Sequence, residues 1–134
     1  MTTPAAGDVG DPAGAASTLR AAASTLQAGV AANLAAERAL LEQHARVVAA
    51  SDGSNADDEH DPEGSTIAFE RQQAAALLRQ VRATGEQLRA ALAALADGTY
   101  GTCESCGRAI DPDRLAARPR ALTCIGCARA AARR

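Results

Sequence analysis

Aromatic residues are nearly absent from this chain: one Phe, one Tyr and no Trp in 134 residues. Lysine is missing altogether, so all 14 basic residues are arginine, a composition that fits GC-rich bacterial coding. Without bulky rings a large globular core is excluded, and alanine-rich helices packed closely on one another are the natural alternative. The shortage of rings also removes the stacking platforms that single-stranded nucleic acids need. No apolar run approaches the ~20 residues required to span a bilayer. No export signal is evident, which together with reduced cysteines leads us to expect a cytoplasmic protein. No nucleophile–base pair or second acid–base cluster is visible, so an enzyme is not expected.

What is present is concentrated. The four cysteines occupy one pattern, Cys103-x2-Cys106, then seventeen residues, then Cys124-x2-Cys127. Zinc in a structural site takes four soft ligands in a tetrahedron, and two Cys-x-x-Cys turns supply one side of the ion each. Disulfides, free thiols and a thioredoxin-like redox motif are the alternatives; the paired spacing and the lack of a βαβ pattern favour a single structural Zn²⁺. All four ligands are used, leaving no open position for catalysis. Gly107 follows the second cysteine and Gly126 lies inside the second pair, where positive φ would be free of a Cβ penalty.

Charge is distributed unevenly. Residues 1–66 carry ten acids and three arginines, a net of −7, whereas residues 67–134 carry six acids and eleven arginines, a net of +5. Arg108, Arg114, Arg118, Arg120 and Arg129 surround the cysteines and would offset the charge of four thiolates.

Residues 1–15 are rich in Ala, Gly, Pro and Asp without periodicity and are expected to form a disordered tail. Ser17 or Thr18 is positioned to cap a helix of about 34 residues, ~50 Å long at 1.5 Å per residue. Its apolar stripe is Leu19, Leu26, Leu40 and Val47, interrupted by Asn33 and widened by Val30, Leu34, Leu41 and Val48. Gly53 is a plausible stop, inside an acidic turn spanning 52–63. The sequence Asp61-Pro62-Glu63 then reads as N-cap, first helical residue and first-turn acid. A second helix runs to Asp97 and ends at Gly98. It presents Ile67, Ala74, Leu78, Val81, Leu88, Leu92 and Leu95, with Arg71 and Gly85 as interruptions. Two helices of matched length around a short turn predict an antiparallel coiled-coil hairpin over 16–97. Residues 98–134 would form the finger, with a short helix over Ala128–Arg134. The fold class is therefore all-α, with a C-terminal four-cysteine zinc finger, and the chain is expected to be a monomer.

The stretch Asp97-Gly98-Thr99-Tyr100-Gly101-Thr102-Cys103-Glu104-Ser105-Cys106-Gly107 resembles the finger of the DksA/TraR family. Ile110, Arg114-Leu115-x-Ala117-x-Pro119 and Cys124-x-x-Cys127 extend the likeness. The resemblance implies a bacterial transcription regulator that binds RNA polymerase directly. Family members insert the coiled coil into the secondary channel, with its tip near the catalytic Mg²⁺, often acting together with ppGpp. It implies that the finger mainly braces the structure and touches the channel rim. Family tips carry Asp-x-x-Asp-x-Ala. Here Asp58 and Asp61 have that separation, Glu63 stands in place of the Ala, and Asp57 adds charge, so these four residues are the candidate tip. A nucleic-acid-binding finger and a redox-responsive zinc protein are the rival readings. The negative total charge argues against the first, and no sequence-specific DNA binding is expected.

Overall fold

The computed structural model describes residues 12–52 and 62–134. Four helices follow in order: α1 (Pro12–Asp52), α2 (Pro62–Asp97), α3 (Pro112–Ala117) and α4 (Ile125–Ala132). α1 and α2 pack along one another as a helical hairpin. At 1.5 Å per residue they are ~60 Å and ~54 Å long.

Each long helix begins on a proline, whose missing N–H and fixed φ suit the first helical position. For α2 this is the expected start. For α1 it moves the start upstream: residues 12–15, expected in the tail, are helical. Thr18 is not a cap, because its Oγ1 donates back to Gly14 O at 3.0 Å within the helix. At the other end of α2 the chain turns sharply. Gly98 has φ +75°, and the N–H groups of Thr99 and Tyr100 both donate to Ala94 O, at 2.9 and 3.1 Å. That left-handed residue closes off the last carbonyls and stops the helix where the glycine predicted.

The packed face of α1 differs from the expected stripe. Leu26 is fully buried, and Val30, Asn33, Glu37, Leu40, His44 and Val47 are half-buried, alternating steps of four and three. Leu19, Leu34 and Leu41, expected on the stripe, are exposed. The seam passes through Glu37 and His44 instead, since a helix presents residues three and four apart to a single partner. Glu37 is held there by Arg82 of α2, whose Nε lies 2.7 Å from Glu37 Oε1.

The two interruptions expected in the heptads, Asn33 and Gly85, meet across the hairpin. Asn33 Nδ2 donates to Val81 O at 2.9 Å. A Cβ at Gly85 would stand 2.5 Å from Asn33 Oδ1. The polar side chain therefore fills the hollow left by the glycine. Toward the base, Leu26, Leu88 and Ala91 form the buried cluster, with Val30, Leu92, Leu95, Tyr100 and Leu122 packed around it. Ala91 is completely buried because finger residues cover that side of α2. Burying a leucine such as Leu26 is worth about 1.5–3 kcal/mol, so this cluster ties the finger to the hairpin.

Candidate metal centre

After Gly98 the backbone forms a small antiparallel pairing, with a bridge between Thr102 and Ala109. Ile110 N–H donates to Gly101 O at 2.7 Å, and Cys103 N–H to Arg108 O at 2.8 Å. Between these contacts Cys103 and Cys106 sit on a tight turn closed by Gly107 N–H to Cys103 O, at 2.8 Å. Gly107 has φ +71°, which an L-residue with a side chain adopts only under strain. The second pair is built differently. Cys124 is the N-cap of α4, and Gly126 and Cys127 lie in its first turn. Gly126 therefore adopts no positive φ, contrary to the expectation from sequence, because the helix itself supplies the turn. The short C-terminal helix likewise starts earlier than expected, at Ile125.

Backbone contacts hold the two turns together. Glu104 N–H donates to Leu122 O at 2.9 Å, and Cys124 N–H to Cys103 Sγ at 3.3 Å. Tyr100 Oη donates to Pro119 O at 2.8 Å, and Arg114 Nε to Thr123 O at 3.0 Å, tying the connecting segment to both ends. α3 starts on Asp111, whose carboxylate accepts from Asp113 N–H at 2.8 Å.

The result is one cluster of Cys103, Cys106, Cys124 and Cys127, with all four sulfurs within 4.8 Å of one another. Cys106 Sγ and Cys124 Sγ are 3.8 Å apart. A tetrahedron with Zn–S bonds of about 2.3 Å has edges of about 3.8 Å, the separation of Cys106 and Cys124. Cys103 is buried, Cys106 is exposed, and Cys124 and Cys127 are half-buried. Four thiolates complete the coordination of one structural Zn²⁺, which when bound joins α2's exit to α4's start.

The electrostatics prepare the thiolates. The Cys124 backbone N–H holds the Cys103 thiol down at about 6. Arg108 lowers the Cys106 thiol, and Cys106 in turn raises the Arg108 guanidinium. The side chain of Cys124, then that of Cys106, pushes the Cys127 thiol up to about 12, since clustered sulfurs cannot all carry charge without the metal. Of the arginines expected to offset the thiolates, Arg108 has that role. Arg114 and Arg120 instead bond Thr123 O and Gln87 Oε1.

A group with a lowered pKa contributes stability above its unfolded value, about 8.5 for a thiol, and loses it as pH falls through the folded value. Protons compete with the metal for the four thiolates, so zinc retention is expected to weaken as the pH falls below neutrality. Transfer to a chromogenic chelator, followed from neutral to mildly acidic pH, measures this. Release on raising the pH would contradict the thiolate assignment.

With this geometry in place, the comparisons with known proteins agree with it. The family model described as the prokaryotic dksA/traR C4-type zinc finger matches residues 98–132. Residues 98–132 thus form a C4-type zinc finger of the dksA/traR kind. Among solved structures, the transcription factor DksA2 from Pseudomonas aeruginosa is similar, with a TM-score of 0.70 at 20% identity. That match covers 87% of this chain and 84% of the DksA2 chain, and at such identity it establishes the fold. No curated protein matches the chain. The DksA/TraR finger thus sits on a hairpin of the DksA2 kind.

The candidate tip is a different matter. Asp57, Asp58 and Asp61 lie outside the described residues, and of Glu63 only the backbone, in the first turn of α2, is described. Sequence reasoning also missed a feature of the finger: Arg114, Arg118 and Arg120 line one cleft against α2. The signal available was the density of arginine between the two cysteine pairs.

Proposed function

We propose that this chain is a non-enzymatic regulator of bacterial transcription that binds RNA polymerase directly. The hairpin enters the secondary channel and carries the acidic segment 52–63 toward the active-site Mg²⁺. The observation that carries this reading is the joining of a DksA/TraR finger to a hairpin with the fold of a transcription factor. A ~50 Å helical rod is long enough to reach a recessed catalytic site, and a cluster of carboxylates suits a Mg²⁺ or basic residues there. Four thiolates around zinc leave no position for substrate, which supports a bracing role for the metal. Among the described residues no helix is long and apolar enough to cross a membrane. The cytoplasm, where thiolates stay reduced, is the compartment this reading requires. The monomer is the acting form, and ppGpp is the co-effector that the family resemblance implies.

The test is binding of the zinc-loaded protein to purified core RNA polymerase, competed by a known secondary-channel binder. Competition supports the reading; no binding by a folded, zinc-loaded chain defeats it. The variant carrying Asp58→Asn and Asp61→Asn is expected to keep polymerase affinity but alter transcription from sensitive promoters, measured with and without ppGpp. Unchanged transcription would remove the tip from the proposal.

A further inference from the structure

The seam of the hairpin follows a heptad pattern, so most of its contacts have an equivalent one heptad away. Leu88 of α2 seats against Gly29 of α1, where a Cβ would stand 2.9 Å from Leu88 Cδ2. Val81 and Leu95, one heptad to either side of Leu88, are half-buried and would enter the same hollow after a slide. Glu37 pairs with Arg82, but Arg89 lies one heptad further along α2. That ion pair is also open to water, where such pairs contribute little. Nor does the covalent connection fix the offset of the helices. Residues 53–61 can span about 30 Å when extended, against the ~10 Å of a one-heptad slide.

Asn33 is the exception. Its Nδ2 donates to Val81 O at 2.9 Å, a carbonyl that also accepts the Gly85 N–H in the regular α-helical pattern. A helical side chain leans over the turn that precedes it, so a larger residue at 85 would cover that carbonyl. Gly85 leaves it open to α1, and a Cβ there would stand 2.5 Å from Asn33 Oδ1. Gly85 is the only glycine of α2 beyond its first turn. Sliding α2 by one heptad sets Leu78 or Leu92 opposite Asn33 and strands its part-buried amide against a leucine side chain. The one opening that accepts this amide therefore faces it in a single register.

We propose that Asn33 and Gly85 form the pin that fixes the sliding register of the hairpin. A polar residue in an apolar seam lowers its stability while excluding its alternative pairings. The acidic segment is anchored at its two ends by α1 and α2. A one-heptad slide displaces one end relative to the other by ~10 Å and changes the arrangements open to the carboxylates between them. Asn33 is thus a positioning residue for the tip, which rests on the reading of that segment as the part that acts inside RNA polymerase.

The experiment uses the full-length zinc-loaded protein with spin labels carried on unnatural amino acids at positions 43 and 86, both exposed. Double electron–electron resonance compares the natural seam with Asn33→Leu and Asn33→Ala. Leucine continues the apolar series of Leu26 and Leu40, and alanine is too small to clash in any register. The natural seam is expected to give one distance, and both variants a second one shifted by ~10 Å. Zinc content is expected to be unchanged, and the unfolding midpoint of Asn33→Leu equal to or above that of the natural chain. Glu37→Gln is the control and is expected to keep one distance. The apparent Kd for core RNA polymerase should rise as the native-register population falls, about twofold if half the molecules slide. The natural distance alone in both variants overturns the register proposal, whatever the polymerase does. Loss of helicity in both also overturns it, by showing that Asn33 holds the seam together rather than selecting its register. A second distance with Kd and transcription unchanged overturns the link to the tip. If the natural chain does not bind polymerase, the functional reading fails, and the distances alone decide whether Asn33 sets the register.

Discussion

Replacing Cys103 with serine is expected to abolish zinc binding and to unfold the finger, the largest single effect available in this chain. Cys103 is the buried ligand, with 1% of its surface exposed, and it is the centre of the local hydrogen bonding. Its sulfur accepts from Cys124 N–H at 3.3 Å, and its backbone bonds Arg108 and Gly107. A serine oxygen is harder and shorter, and it does not ionise near neutral pH. Binding of structural zinc contributes about 10–16 kcal/mol of apparent free energy in isolated fingers, more than a segment this small gains from its own packing. Without the ion, α3 and α4 have few other restraints: neither contains a buried residue.

The consequence extends into the hairpin. Leu122 and Tyr100 pack against Leu26, Leu88 and Ala91, so a melted finger uncovers Ala91 and loosens the base. Metal analysis should fall from one zinc per chain to near none, and helical circular dichroism should drop by more than α3 and α4 alone supply. The middle of the hairpin should persist, because there Asn33 and Glu37 are held by Val81 and Arg82 of α2. A Cys103→Ser protein with one zinc and unchanged dichroism would show that the cluster is not what holds the base together.

The second large effect is a reversal of sign. By helix propensity alone, Gly85→Ala should stabilise α2 by about 1 kcal/mol. The hairpin predicts the opposite. The new Cβ would lie 2.5 Å from Asn33 Oδ1, and the Asn33 side chain is held by its bond to Val81 O, leaving little room to retreat. Displacing it breaks that bond and strands a part-buried amide, at about 1–3 kcal/mol. The net expectation is a loss of about 1–2 kcal/mol, read from urea or thermal unfolding. Adding Asn33→Ala should remove the clash and let the propensity gain appear, so the double variant should match or exceed the natural chain. Additive single effects, with no coupling between positions 33 and 85, would mean that these residues do not share one site.

This pair also shows where reading the sequence reached its limit. Asn33 and Gly85 each look like a defect when their own helix is considered, since a polar residue and a glycine both weaken a heptad seam. They become a matched contact only once α1 and α2 lie antiparallel in one register. Leu34 and Leu41 mislead in the reverse way: as leucines three or four residues from seam positions they look core-facing, yet the seam takes Glu37 and His44. Hydrophobicity ranks residues by type, whereas the facing helix selects them by angle.

The sequence by itself determined the parts governed by short-range chemistry. Four thiolates at this spacing specify zinc, Pro62 and Gly98 mark the two ends of α2, and the shortage of bulky side chains rules out a large core. Each depends on atoms a few residues apart, so the covalent chain already contains the answer. Only the tertiary structure decided which face of α1 is inside, why Ala91 is fully buried and why three arginines share a cleft with Gln87. Those outcomes depend on residues 30 or more positions apart being brought together, through the pairing of two long helices and the docking of the finger on one of them. The energy of each such contact exists only after the chain has chosen that arrangement.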